Sequence, residues 1–188
     1  KSTKSLYPYL IATAGQQITQ QNPTDYDVFI ALSLIKAIIR NKEDTTGAII
    51  HYGQDVINIL LSVLVSSDIR VGSIYRFVTL RQMAADQLKT FTDLLVRKYN
   101  NVQPQITVEL ISLLKNKKDD LIDRLGALIG LTAMGLDVIE QFIEPLIPEL
   151  YKELVHKLED PDSEHERQGM TSEYERRLLI KLFLNQIE

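Results

Sequence analysis

A chain of 188 residues with 45% hydrophobic content has ample material for a core. It holds no cysteine, which excludes disulfides, cysteine metal sites and cysteine nucleophiles and favours an intracellular setting; its formal net charge of -4 leaves contact with a phosphate backbone to a local patch. No signal peptide and no long apolar segment is read, and the chain opens close to a helix, which points to a piece of a longer protein.

In chain order, Leu6-Tyr-Pro8-Tyr-Leu10 marks the start of a first helix, and the turn formers of residues 22–25 end it. Val28, Leu32, Ile35 and Ile39 then fall at steps of three and four, one stripe of an amphipathic helix. Residues 41–47 form a connection, and the run from Ile49 to Leu64 predicts the next helix. After residues 66–73, Phe77, Leu80, Ala84, Leu88, Phe91 and Leu95 make another stripe. Beyond residues 100–103 come helices over Ile106–Leu114 and Leu121–Ala133. A broad stripe then runs from Val138 through Phe142, Leu146, Leu150 and Leu154 to Leu158, followed by a charged segment and a last helix at Leu178–Ile187. No segment keeps strand alternation.

Two short series recur along these helices. Prolines stand in an apolar-x-Pro-x-apolar pattern at Pro8, Pro104 and Pro148, with a proline-free counterpart expected near Tyr52 to Val56. Arginine leads Arg81-x-x-Ala84-x-x-x-Leu88 and Arg124-x-x-Ala127-x-x-x-Leu131, with a degenerate third member at Arg177, Ile180 and Leu184. Interleaved series imply a two-helix unit with proline opening its first helix and arginine its second. A period of about 40 to 47 residues is that of HEAT or armadillo repeats.

Gly126 and Gly130 lie four residues apart inside a helical run, where each costs about 1 kcal/mol against alanine. They share one face, which admits a neighbouring helix at short range. The uncharged run around them is too short for a bilayer, which needs about 20 residues, so the pattern is read as close packing in water. Gly135 is the expected helix stop.

Catalysis finds no foothold in the motifs. The three histidines, His51, His156 and His165, form no zinc motif: His165-Glu166 is followed by Gly169 where a second histidine is needed. Neither a phosphate loop nor a Gly-x-Ser-x-Gly elbow occurs. Lys115, Lys117 and Lys118 precede Asp119 and Asp120, the pattern of an ordinary turn between two helices, so direct nucleic-acid binding is not expected. Arg70, Tyr75, Arg76 and Arg81 concentrate the residue types that dominate interfaces and form the candidate partner-binding surface. Arg124 is read as structural, and residues 159–172, rich in charge, as a flexible insertion.

The block from Arg124 through Gly126, Gly130-Leu131, Gly135, Asp137, Val138 and Ile139 to Pro145 resembles the C-terminal HEAT domain of TBP-associated factor 6. Val78-Thr-Leu80-Arg81 with Ala84-Ala85, and Leu6-Tyr-Pro8, resemble further segments of that family. Two positions depart from it: Leu125 stands where an aromatic often follows the arginine, and no tryptophan precedes Leu80. The resemblance implies an all-α, HEAT-like solenoid of about four antiparallel helix pairs, a single domain over residues 1–188 without the family's histone fold. It further implies a nuclear, non-catalytic scaffold without cofactor or metal that binds other TFIID subunits and, in some relatives, SAGA-type coactivators. A transport or trafficking adaptor holding a cargo peptide is the alternative. The sequence leaves homodimerisation open.

Overall fold

The computed structural model describes residues 6–41, 48–66, 73–96, 98–117, 120–159 and 173–187, and all the regular structure among them is helical. The helices are α1 (Tyr7–Thr19), α2 (Asp25–Ile39), α3 (Gly53–Val65), α4 (Ile74–Val96), α5 (Val102–Lys115), α6 (Leu121–Ala133), a short turn α7 (Leu136–Val138), α8 (Ile147–Glu159) and α9 (Glu173–Ile187). They pair as α1 with α2, α3 with α4, α5 with α6, and α8 with α9. The second helices form one row, α2, α4, α6 and α9, each packed on the next, while α1 packs on α3 in the other layer. This is a HEAT-like solenoid of four helix pairs among the described residues.

Local chemistry sets the helix ends. Thr24 caps α2: its side chain accepts from the Asp27 amide while the Asp27 carboxylate accepts from the Thr24 amide, a reciprocal capping box. Just before it, Asn22 takes the left-handed conformation (φ 60°) that asparagine tolerates better than most residues. Ser73 caps α4 by accepting from the Arg76 amide at 3.4 Å. Pro8, Pro104 and Pro148 all lie in the first turns of α1, α5 and α8, where a missing N–H costs nothing. The proline-free unit begins at Gly53, inside the window expected for it.

One sequence expectation needs revision at α3. Ala48–Val65 is an 18-residue stretch of mean hydropathy 1.5, apolar and long enough by composition to cross a membrane. It consists of a 3-10 turn (Ala48–Tyr52) and α3, and Val56, Leu60, Val63 and Leu64 are fully buried where α3 meets α1, α4 and α6. Its apolarity is that of a core helix.

The stripe expected to run unbroken from Val138 to Leu158 is also interrupted. After α7 the chain makes a π turn over Ile139–Ile143 and a 3-10 turn over Glu144–Leu146 before α8 begins. Pro145 explains the break: it cannot donate to the carbonyl four residues back, and its ring crowds that carbonyl. Gly135, with φ 121°, occupies a conformation that an L side chain strains to adopt and separates α6 from α7.

Most buried of all is α6, in which Leu121, Arg124, Leu125, Gly126, Ala127, Leu128, Ile129, Gly130 and Leu131 are all covered. It packs on α3, α4, α5 and α9, so it needs an apolar surface nearly all round.

Candidate functional site

The two arginines of the repeat series occupy equivalent places. Arg81 on α4 is 1% exposed, and its Nε donates to the carbonyl of Leu64, one residue before the end of α3, at 2.7 Å. Arg124 on α6 is likewise 1% exposed, and its Nε donates to the carbonyl of Leu114, one residue before the end of α5, at 3.0 Å. Each arginine thereby closes the carbonyl end of the first helix in its own pair, a terminus that otherwise leaves acceptors unsatisfied and carries partial negative charge.

Their remaining donors diverge. Nη2 of Arg81 bonds the Ser66 carbonyl at 2.7 Å, and its guanidinium lies over the Phe77 ring, 3.3 Å from the centroid. Burial pushes the Arg81 pKa down to about 9, opposed by the charge of Asp123, and the group stays protonated at neutral pH. Arg124 instead forms a two-pronged pair with Glu153 of α8, Nη1 to Oε1 at 2.6 Å and Nη2 to Oε2 at 3.1 Å. Arg177, the degenerate third member, is exposed.

This geometry corrects the expected partner surface. Arg81 is fully covered and holds the end of α3 within its own pair, so it is not part of a surface. Tyr75 and Arg76 are exposed, and Arg76 pairs with Asp25 at the start of α2 at 2.8 Å. Arg70 falls outside the described residues, as do Lys118, Asp119, His165 and all of the expected insertion except Glu159, which ends α8.

What the sequence reading missed lies on α2. Tyr26 and Phe29 are 68% and 48% exposed, and Tyr75 on α4 is 64% exposed. Asp25, Tyr26 and Phe29 face Arg76, Thr79, Leu80 and Met83 across an apolar groove of 320 Å³ between α2 and α4. The signal was present: Tyr26 and Phe29 stand three residues apart, off the buried stripe of Val28, Leu32 and Ile35. Aromatic side chains on a helix face that the core does not use are an exposed apolar patch in the making.

The two glycines of α6 are not equivalent. A Cβ at Gly126 would stand 1.7 Å from the carbonyl oxygen of Leu64 and 3.0 Å from Arg81 Nε. At Gly130 it would meet only side-chain ends, Leu110 Cδ1 at 3.0 Å and Leu64 Cδ1 at 3.3 Å. Lys117 pairs with Glu149 of α8 at 2.7 Å, which raises the lysine pKa and lowers that of the carboxylate. His51 and His156 are exposed, and no cluster of metal-binding side chains occurs among the described residues.

A family model described as the TAF6 C-terminal HEAT repeat domain matches residues 1–148. The chain belongs to that family. TAF6 C-terminal HEAT repeat domains are helical-repeat scaffolds of a TFIID-type transcription factor, which agrees with the solenoid seen here. No curated protein matches the chain. The TAF6 match covers Pro8, Arg81, Pro104, Arg124, Gly126, Gly130 and Gly135 and ends at Pro148, whereas Glu153, which holds the far prongs of Arg124, lies beyond it. Leu125, where the sequence departs from the resemblance, is 1% exposed within the core.

Proposed function

We propose that this chain is a non-catalytic scaffold domain that holds other TBP-associated factors within TFIID in the nucleus, and that residues 1–188 act as one domain. Related SAGA-type coactivators are a further setting for the same role. The observation that carries the reading is the cluster of Tyr26, Phe29 and Arg76 around the apolar groove between α2 and α4, with the exposed Tyr75 next to Arg76 in the chain. Exposed aromatics beside an arginine, mounted on two helices whose backs are buried, combine hot-spot residue types with a rigid support. Family membership supplies the class of partner.

The surface test must leave Arg81 alone, because its reversal would break the α3 terminus. Tyr26→Ala with Phe29→Ala and Tyr75→Ala in the full-length protein should reduce co-purification of TFIID subunits severalfold while the melting temperature stays within about 2 °C. Full retention of those subunits would remove this surface from the role. A full-length sequence without a histone fold would favour the cargo-adaptor alternative.

A further inference from the structure

The apolar groove does not end at Met83. A second, narrower cleft of 90 Å³ adjoins it at Met83 along the same two helices, lined by Lys36, Ile39, Arg40, Met83, Asp86, Gln87 and Thr90. Asp25 meets Arg76 at one end, and Lys36 and Arg40 flank Gln87 and Thr90 at the other, so α2 and α4 run in the same direction. Fourteen residues separate Tyr26 from Arg40, and fourteen separate Arg76 from Thr90. At about 1.5 Å per residue the two adjoining clefts together span about 21 Å, the length of about four turns of a docked helix.

Its two ends differ in chemistry. The first is aromatic and its one cation, Arg76, is already paired with Asp25. At the second, Lys36 and Arg40 are exposed and take part in no ion pair among the described residues, and Asp86 is the one carboxylate among the described residues that line the cleft. Gln87 is 7% exposed, and its Oε1 is buried with no hydrogen-bond partner. A buried acceptor left in that state is costly, so a donor that reaches it is rewarded. An apolar basin followed at fixed distance by excess positive charge is the complement of a segment with apolar side chains and carboxylates in the same order.

We propose that the groove between α2 and α4 docks an acidic amphipathic segment of another protein, with its apolar side chains in the basin beside Tyr26 and Phe29, its carboxylates against Lys36 and Arg40, and a side-chain donor on Gln87 Oε1. The inference rests on the scaffold reading for the site and adds the chemistry of what the site takes. A peptide helix in a groove between helices uses apolar anchors three and four residues apart, which matches the spacing of Tyr26 and Phe29 on the receiving side.

The test is fluorescence anisotropy of this chain with a labelled peptide of about 16 residues, carrying Leu or Phe at helical spacing, a serine opposite the cleft and glutamate elsewhere. The glutamate peptide should bind at least about tenfold more tightly than its glutamine counterpart, and Lys36→Glu with Arg40→Glu should remove that preference. Phe29→Ala should weaken both peptides alike. Gln87→Leu should weaken the glutamate peptide about threefold without lowering the melting temperature, a readout that a purely structural glutamine would not give. Equal binding of the two peptides, an unaltered preference in the double charge reversal, an unchanged affinity in Gln87→Leu, or capture of phosphatidylserine vesicles in place of the peptide would overturn the proposal. Loss of TFIID subunits from the aromatic triple variant together with equal peptide binding would leave the scaffold role standing and sink this inference alone.

Discussion

Arg81 and Arg124 start from one plan and finish differently. Both are buried on the second helix of a pair and both seal the last carbonyls of the first helix. Arg81 spends its other donor on Ser66, within the same pair, and rests on Phe77. Arg124 reaches across to Glu153 in the next pair. One position in a repeat can therefore spend its outer donors on its own unit or on a two-pronged ion pair with the next one.

The sharpest way to break this comparison is at the cross-unit pair. Arg124→Met removes the two-pronged pair from Glu153, whose side chain is only 14% exposed, and the donor from the Leu114 carbonyl, and should cost about 3–5 kcal/mol in urea denaturation. Pairing it with Glu153→Met should recover more than half of that loss, as replacing a buried ion pair by apolar groups often does. A double variant as unstable as the single one would show that Glu153 is not the group that Arg124 compensates.

Next in size is a contrast between glycines. Gly126→Ala would drive a methyl group into the backbone carbonyl that Arg81 holds, and should cost about 3 kcal/mol or more. Gly130→Ala needs only a small shift of Leu110, and its gain of about 1 kcal/mol in helix propensity offsets that strain, so its stability should stay within about 1 kcal/mol of the parent. Equal losses at the two positions would deny Gly126 its special contact. Smallest is the effect of Glu149→Gln, which removes the exposed pair with Lys117 and should leave the melting temperature unchanged. A clear drop there would shift the tie to α8 away from Arg124.

Much of this fold was legible because its repeat leaves periodic marks. Pro8, Pro104 and Pro148 open the first helices, and Arg81 and Arg124 recur on the second, so the two-helix unit could be read without contacts. The destination of each arginine could not. An arginine bound for an interface and one bound for a helix terminus look alike in a string of letters, and only the partner carbonyl, 17 residues away for Arg81 and 10 for Arg124, tells them apart. Tyr26 and Phe29 escaped notice because the buried stripe beside them accounted for α2 without them. The π turn at Ile139–Ile143 escaped because apolar spacing alone does not register what Pro145 does to the hydrogen bonds before it.

The carbonyl of Leu64 fixes the rotational setting of α6. It accepts from α4 through Arg81 and admits α6 only where a side chain is missing. Inserting a single residue into α6 ahead of Gly126 would turn the rest of the helix by about 100° relative to that contact and present a side chain where none fits. The loops of such a repeat can change length with little effect on packing, whereas the segment from Leu121 to Gly126 is held to its count as well as to Arg124 and Gly126.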